Sequence, residues 1–351
     1  MSGPVYVGSA QWVAATPGNR TVGLFRASTP GARWERLTRG LPENAEIRAI
    51  EVHPADAGTL YVATQRGPYR STDGGDSWES LDLPSPEVTW SILVHPVDPN
   101  IVYCGTIGTG IYRSENGGRH WRLLEIAPPV SVCQMGFPTR VIRLAIDPTL
   151  PDDIYAALEV GGLVRSLDGG HTWSDCNHGL LGFCEQAAYK SRIGSDTDTE
   201  GMLDSHSLAI SAAKPGTVFL ANRMGLFQSA DKGETWEDLD IGRFSPLTYA
   251  RDVKVSPQEP RTLYGAFSKA AVSDEGSLFR SDDLGMSWSR FDHDVSMEST
   301  LMVIGTSRSS EQRVYCAARR GQVFGTEDGG ATWLSYRLPA GVEGVYGIAC
   351  P

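Results

Sequence analysis

Residues 59–81 read TLYVATQRGPYRSTDGGDSWESL, and this stretch decides the fold. It holds a β-branched and aromatic strand from Thr59, a turn carrying Ser71, Asp73 and Gly75, and a terminal Trp78. The same SxDxGxxW pattern returns at Ser166, Asp168, Gly170 and Trp173, at Ser229, Asp231, Gly233 and Trp236, and at Ser281, Asp283, Gly285 and Trp288. Two copies vary one position, with Asn116 between Ser114 and Trp121 and with Thr326 ahead of Asp328, Gly330 and Trp333; a seventh is decayed, keeping Ala27, Thr29, Gly31 and Trp34 in frame. Trp-to-Trp intervals of 43 to 63 residues suit one four-stranded propeller blade and exceed a leucine-rich or helical repeat. Strands such as IVYCGT from Ile101 and RVYCAA from Arg313 recur upstream of the turns, bounded by Gly, Pro and Asp. A further strand ends in His-Pro, Asp-Pro or Ser-Pro, as in IRAIEVHP (47–54) and RDVKVSP (251–257), because proline can end a strand but not continue it.

The fold class is therefore all-β, a seven-bladed β-propeller of four-stranded blades occupying residues 1–351 as a single domain. The chain opens on VYVGSA at Val5, which matches the second strand of a blade, and the missing innermost strand is VYGIACP at 345–351. The C-terminal strand is expected to complete the N-terminal blade and close the ring.

Composition narrows the function classes. The sequence is 40% hydrophobic and 21% charged, with no apolar run near membrane-spanning length. Its opening residues carry no basic n-region or apolar core, so no signal peptide is read and a cytoplasmic location is expected. A net charge of −11 argues against nucleic-acid or anionic-membrane partners. No phosphate-binding loop, GxGxxG or GxSxG motif is present, and no cofactor is expected. Cys133, Cys176, His178, Cys184 and His206 fall on one face without zinc-ligand spacing, which leaves metal binding there dependent on loop folding, and no metal is assigned.

The repeated turn resembles the Asp-box, or BNR, repeat of sialidases, xyloglucanases, the sortilin family and photosystem II assembly factors, over nearly the whole chain. That resemblance implies a structural role for the box, with Ser and Asp bonding backbone amides, Gly at positive φ and Trp packed between blades. It also implies three functional precedents. Sialidases use an arginine triad with a Tyr–Glu pair and an Asp, which Arg48, Arg143, Arg251, Tyr346 and Glu159 can imitate, although the usual N-terminal arginine motif is absent. Xyloglucanases place paired acids between two propellers, where this chain has one. Single seven-bladed assembly factors dock a protein partner on an arginine-rich face and are normally exported.

Alternate strands fix which loops share a face, and the irregular sequence gathers opposite the box turns. The longest segments there are 176–205 and 124–139. Aligning the innermost strands on their terminal Pro gives an entrance ring of Arg48, Trp90, Ile142, His206, Arg251 and Met302. One residue deeper come Ala49, Ser91, Arg143, Ser207, Asp252, Val303 and, by a looser match, Tyr346. Neighbouring loops add Arg66, Glu159, Arg223 and Arg320, and Trp12 is the second of two tryptophans outside the boxes. Convergent guanidinium groups suit carboxylate, sulfate or phosphate; the competing reading is that Arg–Asp pairs staple blades together. His206 is the only histidine of the ring and a candidate acid or base, with Glu159, Asp252 and Tyr346 as further catalytic candidates; a structural role for His206 remains the alternative.

The expected function is binding of a small anionic organic ligand by Arg48, Trp90, Arg143, Arg223, Arg251, Trp12, Arg66 and Arg320, with hydrolase or lyase chemistry centred on His206. A non-catalytic scaffold docking a protein partner on the same face and a sialidase-like glycosidase are the alternatives.

Overall fold

The computed structural model describes residues 3–11, 20–29, 31–85, 87–129 and 131–351. They form seven four-stranded antiparallel sheets. Blade 2 shows the plan, with Ile47–Val52 innermost, then Leu60–Thr64, Gly67–Ser71 and the short outer strand Glu79–Ser80. The second strand of each blade is buried along its length, as an inner layer covered on both faces requires. Outer strands are two to four residues long, which blunts the rim edges.

Blade 1 is assembled from both ends of the chain. Val345–Ala349 pairs antiparallel with Val5–Ser9, placing Tyr6 opposite Ala349 and Val7 opposite Ile348. The expected ring closure is thus present, and the innermost strands run round a central axis in a closed circle.

The core lies between blades. Tyr6, Leu24 and Leu37 of blade 1 pack on Ile47, Leu60, Val62 and Trp78 of blade 2, and equivalent clusters fill the other blade junctions. The polar turns anchor them. Ser71 Oγ accepts the Gly75 N–H at 2.8 Å and donates to Asp73 Oδ1 at 2.8 Å, while Asp73 also accepts the Ser77 N–H and O–H. Gly75 sits at φ 90°, and a Cβ there would lie 3.0 Å from Leu37 of the preceding blade. Trp78 donates to its own turn at Gly75 O, whereas Trp121 and Trp236 donate to carbonyls of the preceding blade, Leu81 and Cys176.

Removing residues 345–351 strips blade 1 of its inner strand and opens the ring, so the truncated chain should lose its cooperative thermal transition by circular dichroism. The turn carboxylates set an acid limit: hydrogen bonds from Ser77 hold Asp73 down to about 2, and those of Thr332 hold Asp328 at about 2. Unfolded aspartate titrates near about 3.9. Their contribution is therefore complete above that value and lost as pH falls through about 2. An Asp73→Asn, Asp328→Asn double variant should melt lower at pH 6 and show a shallower fall in melting temperature between pH 4 and 2 than the parent.

Candidate functional site

In all seven blades the pairing of the innermost strand with its neighbour slips by one residue near the same end. The shift falls between Ile47 and Ala49, Thr89 and Ser91, Val141 and Arg143, Ser205 and Ser207, Ala250 and Asp252, and Leu301 and Val303. In blade 1 Gly8 faces Gly347 and Ser9 faces Val345. The residues skipped are Arg48, Trp90, Ile142, His206, Arg251, Met302 and Tyr346. A bulge leaves one residue out of the ladder and re-aims its side chain. All but Met302 line one cavity of about 220 Å³ at the propeller mouth. Tyr346 thereby belongs level with Arg48 and Trp90, and Gly347 takes the deeper place that the Pro-based alignment gave to Tyr346.

Residues two positions before the bulge add a second tier, because strand side chains recur on one face with period two. Arg140, Asp204 and Tyr249 line the cavity in this way, and Glu46 pairs with Arg48 through Nη2 and Oε2. Phe137 from the 124–139 segment and Ala271 from blade 6 complete the rim.

Five guanidinium groups, those of Arg48, Arg140, Arg143, Arg223 and Arg251, face two carboxylates, Glu159 and Asp204. Arg48 and Arg140 both stack on Trp90, with Cζ 4.7 and 4.5 Å from the ring centroid, and Tyr346 meets the same ring edge-on at 6.1 Å. Arg140 pairs with Glu159 at 2.6 Å and Arg223 with Asp204 at 2.6 Å. Several donors are buried with no partner among the described residues: Arg48 Nε and Nη1, Arg143 Nε and Trp90 Nε1.

Burial sets the titration behaviour. It raises Glu159, against the opposing pull of Arg140, and it pushes Tyr346 up to about 12. Burial also pushes Asp204 upward, but His206 and Arg223 reverse this and hold it at about 2. For His206, burial and then Arg251 lower the pKa, against the attraction of Asp204. His206 Nδ1 lies 2.8 Å from the Ala250 carbonyl, which can only accept, so that nitrogen carries the proton. Nε2 is left to accept from the Tyr249 hydroxyl at 3.2 Å, with Asp204 Oδ2 at 3.5 Å. With His206 neutral, Arg223 is the cation that keeps Asp204 ionised.

The structure gathers Arg48, Trp90, Arg143, Glu159, His206, Arg223, Arg251 and Tyr346 around the cavity. Arg66 and Arg320 are exposed and lie outside it. Trp12 falls outside the described residues. Asp252 lies one step deeper, in a chamber of about 80 Å³ beneath the mouth. Its carboxylate accepts the Ser207 hydroxyl at 2.5 Å and the Val253 and Ile304 amides, tying blades 5, 6 and 7 together. Arg143 and Tyr346 are shared by the two spaces and form the floor between them. Arg140, Phe137 and Tyr249 were missed; the period-two step back from each entrance residue finds the first and last.

The 176–205 segment lends only Asp204 and Ser205 to the cavity. It folds against blades 4 and 5 through the helix Asn177–Phe183, whose Asn177 bridges the Leu163 amide and the Gly161 carbonyl. Glu200, buried, accepts amides of Ile193, Gly194 and Ser195 and so fixes the loop. Cys176 and Cys184 are buried in this junction and Cys133 packs on Val160 and Leu203; among the described residues no three His, Cys, Asp or Glu side chains are grouped to hold a metal. No helix among them is long and apolar enough to cross a membrane.

A family model described as "DUF6242 beta propeller domain" matches residues 4–178. Xyloglucanase Xgh74A of Acetivibrio thermocellus is 24% identical over 217 residues, covering 54% of this chain and 25% of that protein. An oligoxyloglucan-reducing end-specific xyloglucanase of Emericella nidulans is 23% identical over 295 residues, covering 78% of this chain and 34% of that protein. The chain thus spans a quarter to a third of the length of these relatives. Among solved structures, the GH74 xyloglucanase of Xanthomonas campestris superposes with TM-score 0.69 at 16% identity, over 100% of this chain and 52% of its own. YCF48 bound to D1 peptide gives 0.53 at 16% identity, over 84% and 83%, and YCF48 from Cyanidioschyzon merolae gives 0.60 at 14%, over 86% and 88%. At such identities these likenesses establish the propeller.

The titration of His206 reports the electrostatics of the mouth directly. By NMR it should titrate below the ordinary value of about 6.5. Arg251→Met removes a cation opposing protonation and should raise it; Asp204→Asn should lower it further.

Proposed function

We propose that the mouth cavity binds a small anionic organic ligand, seated on Arg143 at its floor. Arg143 carries the reading. Its side-chain hydrogen bonds are two 3.5 Å contacts to the carbonyls of Ile142 and Tyr346, its Nε has no partner, and the nearest acidic influence, Asp252 in the chamber below, acts from beyond ion-pair distance. Arg143 is half-buried, and its Nε is fully withdrawn from water, where a donor without an acceptor is costly. A carboxylate, sulfate or phosphate oxygen pair fits its fork, and Arg48 and Trp90 Nε1 supply further donors. His206 with a neutral ring and Glu159 with a raised pKa equip the same cavity for hydrolysis or elimination at the bound molecule, with Tyr346 beside them. The repeated Ser–Asp–Gly–Trp turns are read as structural Asp-boxes, remote from this chemistry.

Two other readings have support. The likeness to a propeller described as bound to a peptide favours docking of an acidic segment on this face. The likeness to xyloglucanases favours a saccharide ligand. A neutral glucan, however, would leave Arg143 without a counter-charge, and a cavity of about 220 Å³ is small for an extended chain.

A ligand that binds only the folded state raises its melting temperature. In a thermal-shift panel of succinate, phosphate, sulfate, hexuronates and glucose, at least one anion should stabilise the protein by several degrees and glucose should not. Arg143→Met, which keeps the volume and removes the charge, should abolish the shift while retaining the parent's circular dichroism spectrum. Silence across all anions would overturn the reading and leave peptide docking.

A further inference from the structure

The distribution of donors and acceptors around the mouth narrows the ligand further, granted that the cavity takes an anion at all. Three donor groups have unpartnered nitrogens there: Arg48 and Trp90 on adjacent inner strands and Arg143 at the floor. Acceptor capacity lies in Glu159 and Asp204 of the same cavity, which are close enough for Asp204 to raise Glu159 electrostatically. Arg140 engages Oε2 of Glu159, and both Arg223 and His206 approach Oδ2 of Asp204. The second oxygens, Oε1 and Oδ1, carry none of those contacts, and an ionised carboxylate offers about four lone-pair sites.

A ligand that used only the unpartnered donors would leave these acidic oxygens of the same cavity unanswered. They call for hydrogen-bond donors on the ligand, which hydroxyl or ammonium groups can supply. Charge decides between the two. Both carboxylates are already matched by a guanidinium, and five arginines surround the space, so an added ammonium would enter a field of its own sign. Hydroxyl groups meet no such repulsion. The volume of about 220 Å³ suits a single ring and not a chain.

We propose that the mouth recognises a polyhydroxylated monocarboxylic acid of single-ring size, its carboxylate on Arg143 and its hydroxyls donating to Glu159 and Asp204. Hydroxyl recognition by buried polar groups is highly discriminating, because an analogue lacking the hydroxyl leaves those groups unpaired.

Isothermal titration calorimetry of the full chain tests this with four ring compounds: D-glucuronate, glucose, cyclohexanecarboxylate and trans-4-aminocyclohexanecarboxylate. Glucuronate should bind at least tenfold more tightly than each of the others. Glu159→Gln, and separately Asp204→Asn, should weaken glucuronate tenfold or more while changing cyclohexanecarboxylate by less than twofold; either variant suffices should the other fail to fold. Equal binding of glucuronate and cyclohexanecarboxylate, or tighter binding of the amino acid, would overturn the hydroxyl inference and leave the anion reading standing. Glucose binding as well as glucuronate, or no acid binding at all, would overturn both.

Discussion

Everything at the mouth depends on the antiparallel pairing of Val345–Ala349 with Val5–Ser9. Seven inner strands held in a circle leave an axial space that their side chains fill only in part, so the centre stays a funnel and not a core. Each blade junction is sealed by an apolar cluster, and the axis is left to polar groups. A linear array of the same blades would have the same clusters and no cavity. Ring closure is therefore the step that turns a stability pattern into a site, and it binds residues 345–351 to both roles, since Tyr346 lies within the closing strand.

Within that ring the bulge is the second constraint. One skipped residue per blade frees seven side chains from the ladder at a common height. The scaffold specifies the position and leaves the residue type open: Arg48, Trp90, Ile142, His206, Arg251, Met302 and Tyr346 share geometry and differ in chemistry. A net-negative chain thus concentrates positive charge in one place. The low-dielectric walls of Trp90, Phe137 and Tyr346 strengthen that field beyond what exposed arginines such as Arg66 and Arg320 give.

The fold was legible because it repeats. Seven copies of a turn with Gly at a required positive φ and a Trp at a fixed offset leave little freedom of interpretation. The entrance ring was legible for a related reason: the terminal His-Pro, Asp-Pro and Ser-Pro steps mark one common strand end. Blade 1 ends in Cys350-Pro351, but its bulged residue stands five positions before that proline, against six in blades 2, 3, 4 and 6, so an alignment on proline sets Tyr346 a residue too deep. Loop residues were less legible. Arg66 and Arg223 follow equivalent strands, but only Arg223 is turned inward, by its pairing with Asp204. Asp252 was chosen for its position in the ring, and its fate as an inter-blade staple is set by Ser207 and the Ile304 amide on neighbouring blades, which no linear pattern displays.

Likeness of fold to xyloglucanases and to YCF48 spans proteins whose descriptions name an enzyme in one case and a bound peptide in the other. A shared propeller therefore constrains where a ligand can sit without constraining what it is. Identity must come from the bulged residues and those two steps before them. In this chain that set pairs each carboxylate with a guanidinium and leaves Arg143 with backbone carbonyls at 3.5 Å and the charge of Asp252 beyond ion-pair distance. A purely structural staple would bring its own counter-charge, as Lys232 has in Asp153 at another blade junction. Arg143 at the floor of the funnel has no such direct ion pair among the described residues, and Asp252 reaches it only through its longer-range field.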